Sequence, residues 1–330
     1  MFQEIITRLE TVTRFDRAAN TRDIKIGEME RTGGGTALAL AIPSGEAFEV
    51  EHRAQNQLLS QFKIPSEHFD RLPRELQAAE LRHFFQAQPK DVTIRAASAP
   101  GVAQPTARAF VSGLYEDFDH AEALRVAMGT LKGDWEIAED KAERDEMRIL
   151  ITQPQLHDVS ARRTGDLVKL GLSIRNSEIG TGALGVEFCT FRLVCLNGMI
   201  AQQAAVSVRQ RHIHIDKESF RIQLKNAITN VAEIGQVVIQ QIRASHDLRL
   251  PNLDPDAGKL QREVVGILRR SNILTKEFTE KATATLGRDE EASVFGLVQF
   301  ITGPWAKSRS SVMERLGVER VAGALMGLAA

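Results

Sequence analysis

The chain has 330 residues, of which 43% are hydrophobic and 26% are charged, so it can bury one large core or two ordinary ones and is not disordered throughout. Its formal net charge of −1 excludes a general attraction to nucleic acid or to anionic membranes, so binding to either requires a local patch. Two cysteines are too few for the disulfide framework of a secreted protein of this size.

The N-terminal region, residues 1–45, is predicted to combine a helix with a hairpin. Hydrophobic residues recur at helical spacing in the first fourteen positions, and the charges among them are not typical of a signal peptide. Residues 24–30 and 36–42 alternate in the manner of strands, and glycines 33–35 between them favour a turn. A phosphate-binding glycine loop would need a helix directly after the glycines, whereas a strand is predicted there.

The central region, residues 46–255, is predicted to form an α+β core. Residues 218–248 repeat hydrophobic positions every three or four residues, which predicts one long helix, and Pro251 and Pro255 end it. Residues 256–330 are predicted to form a helical region, with helices near 260–268, 294–301 and 312–328 and a stop at Gly303-Pro304. The predicted fold is an antiparallel sheet with a long central hairpin packed against a long helix, plus a C-terminal helical cap.

Two stretches of the chain carry opposite charge. Residues 116–146 contain eleven acids and four bases, a net charge of −7, whereas residues 160–225 contain ten bases and five acids. Clustered carboxylates could serve metal or acid/base chemistry, but a solvated acidic face is the commoner cause of such a run. The basic stretch is the local patch that nucleic-acid binding would require.

A hairpin in residues 167–198 is the most regular pattern in the chain. Residues 167–176 alternate apolar and polar positions, residues 176–183 are rich in turn formers, and residues 184–196 return as an apolar strand. One face is predicted to be buried and the other polar and basic, with Lys169, Arg175 and Arg192 close together. The predicted nucleic-acid-binding residues are Lys169, Ser173, Arg175, Asn176, Arg192, Arg209, Arg211, His212 and His214.

Catalytic and metal-binding motifs are not evident in the sequence. His212 and His214 would lie on one face of a strand and could supply two metal ligands, but a third ligand is not visible, so phosphate contact or solvation is preferred. Cys189 and Cys195 are about 20 Å apart along a strand and are interpreted as core residues. Walker A, GxSxG, HExxH and paired CxxC motifs are missing. We therefore predict no enzyme, metal or cofactor.

The hairpin carries a family resemblance. Residues 171–184, GLSIRNSEIGTGAL, and residues 191–199, FRLVCLNGM, resemble the signature of the phage/plasmid-like family, a domain of unknown function named DUF932. Weaker similarity extends upstream through residues 108–115 and downstream from His212 to the C-terminal helices. The resemblance implies a setting in phages, plasmids and integrated mobile elements, and it assigns no catalytic residue.

These observations predict a cytoplasmic protein without a membrane segment that binds single-stranded DNA independently of sequence. Strand annealing by a homo-oligomer, in recombination or maintenance of a mobile element, would extend that activity. The alternative is a protein-interaction module that acts in counter-defence or inhibits a host enzyme, with the acidic residues 116–146 imitating nucleic acid. A hydrolase whose site is assembled from scattered residues is the third hypothesis.

Overall fold

The computed structural model describes residues 2–31, 34–98, 104–160, 166–192, 197–200, 208–210, 217–288, 292–306 and 312–329. Two six-stranded sheets with helices packed against them form this part of the chain, and a helical region ends it. The arrangement confirms the predicted α+β fold.

The first sheet is built from the N-terminal third of the chain. Its strands are β1 (Thr13–Asn20), β2 (Lys25–Glu30), β3 (Thr36–Ala41), β4 (Ala47–Val50), β5 (Asp91–Ser98) and β6 (Thr106–Ser112). They lie in the order β1-β5-β6-β4-β3-β2, with β4 and β6 parallel. The pairing of β2 with β3 confirms the predicted hairpin, and Gly34 and Gly35 in its turn have φ angles of 99° and 86°, which glycine adopts without steric cost.

Three helices cover the first sheet: α2 (His52–Phe62), α3 (Ser66–Asp70) and α4 (Arg74–Ala87). Their apolar sides and the strands bury one core, in which Phe48, Phe62 and Phe85 are among the large members. Burial of this apolar surface stabilises the N-terminal third of the chain.

The second sheet contains the family-like hairpin. Its strands are β7 (Glu136–Ala142), β8 (Glu146–Asp158), β9 (Leu167–Ser177), β10 (Leu184–Arg192), β11 (Asn197–Ile200) and β12 (Val208–Gln210). Strands β11-β10-β9-β8-β7 are antiparallel neighbours, and β12 pairs with the first part of β10. The pairing of β9 with β10 confirms the predicted hairpin, whose turn contains Gly180 with a φ of 74°.

One face of the second sheet packs against α6 (Lys217–Ser245), α1 (Gln3–Leu9) and α5 (His120–Thr130). Helix α6 confirms the predicted long helix. It approaches the sheet closely at Gly235, where an added Cβ atom would lie 2.1 Å from Leu170 Cδ1. Helix α1 confirms an N-terminal helix, but it ends at Leu9 and the chain enters β1 at Thr13, so the predicted helical extent to residue 14 is wrong.

The C-terminal region consists of α7 (Lys259–Arg270), α8 (Lys276–Leu286), α9 (Val294–Phe300) and α10 (Val312–Met326). Helices near the three predicted positions are confirmed, while α8 was not predicted. The predicted stop at Gly303-Pro304 is wrong, because residues Ile301–Trp305 continue α9 as a π-helical turn. A wide turn of this kind can satisfy backbone groups that Pro304 would otherwise leave unpaired.

Helix α10 lies against the other face of the second sheet. Glu319 accepts a hydrogen bond from Arg148 of β8, and Arg320 donates to Glu187 of β10 at 2.6 Å. The hairpin therefore has protein on both faces, which explains why nine of the eleven β9 residues are buried. An antiparallel strand with two covered faces no longer needs one polar side.

The division of the chain at residues 45 and 255 stays a prediction. Strands from both sides of residue 45 belong to the first sheet, and residues on both sides of 255 share one hydrophobic core. In the described part of the chain, every helix is too short or too polar to cross a bilayer.

Candidate nucleic-acid interface

The β9 residues predicted to contact nucleic acid do not form an accessible strip. Ser173, Arg175 and Asn176 retain 0%, 5% and 4% of their possible exposure. The prediction that the face of Ser173 and Arg175 is open is wrong, because α10 packs against it through Glu319 and Arg320. Asn176 lies on the opposite face and is buried against Phe118. Alternation along β9 indicated two faces correctly, but it could not show that both would be covered.

Carboxylates of the same chain form ion pairs with two cations of the hairpin, Arg175 and Lys169. Arg175 donates to Glu187 at 3.1 Å, and the ammonium group of Lys169 pairs with Glu136. Glu187 also accepts from Arg320. A phosphate at Arg175 would have to displace a buried carboxylate, which is costly because each charge has already lost its water. Arg175 is therefore part of the folded framework, whereas Lys169 pairs with a glutamate that is exposed.

Asn176 and Ser173 also have internal roles. The Asn176 side chain donates to the Phe118 carbonyl oxygen at 2.6 Å and lies 3.1 Å from His120 Nδ1. Ser173 Oγ accepts from Arg148 at 3.4 Å. Neither side chain is placed to reach a phosphate group outside the protein.

The side chains of the remaining predicted contact residues lie outside the described part of the structure. Arg192 pairs with Val168 and Asn197 in the backbone register of the second sheet, and Arg209 of β12 lies opposite Gly185. Their side chains lie outside the described positions. Arg211, His212, His214 and Cys195 lie wholly outside the described residues, so their predicted roles stay predictions.

Several carboxylates of the acidic stretch are paired with cations. Asp119, Asp140, Asp145 and Glu146 form ion pairs with arginines of the N-terminal third of the chain: Arg95, Arg8, Arg108 and Arg53 respectively. Mimicry of nucleic acid needs carboxylates that face solvent without partners. These pairs remove that premise for the four carboxylates, and the pairs of Asp145 and Glu146 connect the second sheet with elements of the N-terminal third of the chain.

At the centre of this contact lies a buried cluster of charges that we call the Glu178 junction: Arg14, Arg95, Arg108, Asp119, His120, Asp145 and Glu178. The Glu178 carboxylate accepts from Arg14 at 2.6 Å, from Arg108 at 3.1 Å and from the His120 backbone amide at 2.9 Å. The side chains of Arg108 and Glu178 are fully buried. Cations of the first sheet thus meet an acid of the hairpin turn inside the protein.

His120 is neutral within the junction. Burial lowers the pKa of its imidazole to about 3, and the nearby charge of Arg14 acts in the same direction. Nδ1 lies beside the Asn176 amide group, which donates to it, so the ring proton is assigned to Nε2. Because the carboxylates of the junction are held by arginines, the arrangement is that of a structural connection between sheets.

Cys189 is confirmed as a core residue. Its thiol is buried beside Leu150 and Phe191, and burial raises its pKa above the ordinary value. A buried thiol that stays protonated is a poor nucleophile. Among the residues that the structure describes, no three His, Cys, Asp or Glu side chains are grouped so that they could hold a metal ion.

Helix α7 carries a cationic surface that was not predicted from the sequence. Lys259, Arg262, Arg269 and Arg270 are exposed, and their spacing places them on the side of the helix opposite the buried Val264, Val265 and Leu268. We call these four residues the α7 cationic face. Over residues 259–276 the chain has five bases and one acid, a net charge of +4. That count, with the strong amphipathic pattern, was the available signal.

The α7 arginines differ from the hairpin cations, which form ion pairs with carboxylates of the same chain. Lys259 lies 3.8 Å from Glu263, while Arg262, Arg269 and Arg270 form no ion pair with the described residues. The Arg270 side chain extends back along the helix, since a Cβ atom added at Gly266 would lie 3.5 Å from its Nη1. The result is a row of solvated positive charge about 18 Å long.

Comparison with known proteins identifies the family of the chain. A family model described as a domain of unknown function, DUF932, matches residues 107–312. No curated protein and no solved structure matches the chain. The matched segment runs from β6 through the second sheet and α6 to the beginning of α10, and it includes Glu178 and the α7 cationic face.

Proposed function

We propose that this chain, which belongs to the DUF932 family of domains of unknown function, binds single-stranded nucleic acid independently of sequence through the α7 cationic face. The observation that supports the proposal is the row of exposed arginines that have no carboxylate partner in the described structure. Guanidinium groups bind phosphate oxygens strongly and without reading bases. In this proposal the buried hairpin residues Ser173, Arg175 and Asn176 are replaced by Lys259, Arg262, Arg269 and Arg270.

A single strand fits this surface better than a duplex. The four cations form one row along one helix, which suits one phosphate backbone. A duplex presents two backbones separated by a groove, so its recognition by shape would require a second row at a matching distance. The described surface beside α7 offers lysines of α8, Lys276 and Lys281, each of which lies near a glutamate of the same helix.

The biological setting is a further part of the proposal. The resemblance of residues 171–184 and 191–199 to phage- and plasmid-encoded chains supports a role in recombination or maintenance of a mobile element. Strand annealing by a homo-oligomer in the cytoplasm would follow if several copies aligned their α7 faces along one strand. Multivalent contact of this kind raises affinity without base recognition.

Fluorescence anisotropy of a labelled oligonucleotide tests strand binding. If all four cations contact phosphates, the plot of log affinity against log salt concentration has a slope of about −3, because each contact releases counterion. The double variant Arg262→Gln, Arg269→Gln is expected to weaken binding and to reduce the slope by about half. The matched control Arg22→Gln, Arg71→Gln removes two equally exposed cations from the N-terminal third of the chain.

The outcomes separate the hypotheses. Binding that is lost in the α7 variant and kept in the control supports the proposal. Equal losses in both variants would indicate only general charge attraction, and equal affinity for duplex and single strand would overturn the preference for one backbone. Binding that is indifferent to salt, or absent at low salt, would remove the proposal altogether.

A further inference from the structure

A pocket of about 600 Å³ lies between the end of α7, the segment that follows it and α10. A cavity of this size suits a small organic ligand. Its lining combines charged, hydroxyl and amide groups with apolar side chains, and the polar members used below are Arg270, Ser271, Asn272, Thr275 and Arg320.

The charged part of the pocket is suited to an anion. Arg270 is exposed and has no ion-pair partner among the described residues. Arg320 Nη2 donates a hydrogen bond to the buried Glu187 at 2.6 Å. This bond holds the guanidinium group in place and leaves its other N–H groups to donate to a ligand. Thr275, which also lines the pocket, is the N-cap of α8 and accepts from the Phe278 backbone amide. The positive end of the α8 dipole therefore adds to the two arginines.

The rest of the lining is suited to a flat apolar body. Ile267, Ile273, Val318 and Val321 are among the pocket residues, and their side chains provide van der Waals contact without charge. Ser271, Asn272 and Thr275 supply hydroxyl and amide groups that can pair with ring nitrogens and carbonyl oxygens. An anion with an apolar, hydrogen-bonding ring system is the ligand class that satisfies both parts.

We propose that this pocket binds a nucleoside phosphate, with the phosphate between Arg270 and Arg320 and the base against Ile273 and Val318. The ligand is either a free nucleotide or the phosphorylated end of a strand, since the two share this chemistry. The proposal stands apart from strand binding along α7, although Arg270 belongs to both surfaces. Arg320 connects the pocket to Glu187 and Arg175 of the hairpin, so ligand contact would reach the family-like segment directly.

Isothermal titration with adenosine monophosphate, adenosine and inorganic phosphate tests the proposal on the full chain. The monophosphate is expected to bind about tenfold or more tightly than either fragment, because only it engages both parts of the pocket. Oligonucleotides with and without a terminal phosphate distinguish the two sources of ligand. Tighter binding of the phosphorylated oligonucleotide than of the same oligonucleotide without its terminal phosphate assigns the pocket to strand ends. Equal binding of the two oligonucleotides, with tight binding of the monophosphate, assigns it to free nucleotides.

Two glycines offer a matched pair of variants. Gly317 lines the pocket, and a Cβ atom added there meets nothing within 4 Å, so Gly317→Phe is expected to fill the cavity and abolish nucleotide binding. Gly129 of α5 is exposed and equally unobstructed, so Gly129→Phe controls for an added aromatic ring. Unfolding midpoints of both variants check the fold.

Arg270→Gln is the second variant, because an exposed arginine can be replaced even if Gly317→Phe does not fold. This variant is expected to lower the affinity for the monophosphate about tenfold and to leave the affinity for adenosine unchanged. The double variant Arg262→Gln, Arg269→Gln, which lies outside the pocket lining, separates this proposal from strand binding. Equal affinity for adenosine and its monophosphate, no binding of either, or full binding by Gly317→Phe would overturn the proposal.

Discussion

The Glu178 junction and the α7 cationic face use the same side chains in opposite ways. In the junction, Arg14 and Arg108 reach a carboxylate inside the protein and are nearly or fully buried. On α7, Arg262 and Arg269 point to solvent and have no ion-pair partner among the described residues. The first arrangement joins two sheets, and the second leaves positive charge for a ligand. A cation therefore indicates binding only where the fold keeps carboxylates away from it.

The largest effect is expected from neutralising the acid of the junction. Glu178→Gln leaves Arg14 and Arg108 buried beside a neutral amide, so we expect a loss of about 3 kcal/mol in the free energy of unfolding. Urea unfolding followed by circular dichroism measures it. Glu28→Gln, which changes an exposed acid of β2, is the control. A loss as small as that of the control would mean that the junction does not hold the sheets together.

The pH dependence of stability tests the state of His120. Its pKa in the folded protein is about 3, while that of an unfolded histidine is about 6.5. The unfolded chain binds the proton first, so this contribution to stability is complete above about pH 6.5 and is lost as the pH falls towards 3. The slope is on the order of 1 kcal/mol per pH unit.

The variant His120→Asn isolates that contribution, because it keeps an acceptor for Asn176 and cannot titrate. We expect the difference in unfolding free energy between the wild type and this variant to shrink as the pH is lowered from about 7 to about 5. Unfolding at each pH with the same denaturant series gives the difference. A difference that stays constant would show that His120 does not remain neutral in the folded protein.

A smaller effect is expected from an ion pair at the surface. Arg8 pairs with Asp140 at 2.8 Å, but the Arg8 side chain is 56% exposed, so Arg8→Gln should cost about 0.5 kcal/mol. The same unfolding measurement at low and high salt checks this, since screening should remove the difference. A loss comparable with that of Glu178→Gln would erase the contrast between buried and exposed pairs.

The smallest effect on stability is expected on α7. Arg262→Gln together with Arg269→Gln should change the free energy of unfolding by less than about 0.5 kcal/mol, because neither side chain has an ion-pair partner in the described part of the chain. The same protein sample should show the weakened strand binding described above. If the double variant were strongly destabilised, the α7 arginines would be structural like those of the junction, and the binding proposal would lose its basis.

The elements with a clear local pattern were predictable. The hairpin of β9 and β10, the hairpin of β2 and β3 and the long helix α6 each follow from the spacing of hydrophobic residues and from turn-forming segments between them. Strands β7 and β8 were not predicted, because the acidic residues around them suggested a solvated face. Cations of other elements balance the acids of β7: Lys169 pairs with Glu136, Arg148 with Glu139 and Arg8 with Asp140.

The candidate site was harder to predict than the fold. Lys169, Ser173, Arg175 and Asn176 share a segment with a high local charge, which is visible in the sequence. The burial of Ser173 and Arg175 depends on α10, which follows more than 100 residues later, and Asn176 is held by Phe118 on the opposite face. The cations of α7 were visible as an amphipathic helix and were not weighed, because the basic stretch before them had the larger count. Tertiary contacts, and not composition, decide which of the two basic segments is exposed to solvent.

The sequence by itself determined the local conformations: the helix and strand periods, the turns at glycine positions and the neutral overall charge. Only the tertiary structure decided which charges meet. Arg108 and Glu178 are 70 residues apart along the chain, but Arg108 Nη1 lies 3.1 Å from Glu178 Oε2. Each side chain neutralises the charge of the other. Hydrophobic periodicity is a property of neighbours in sequence, whereas the partner of a buried ion is chosen by the packing of whole sheets and helices.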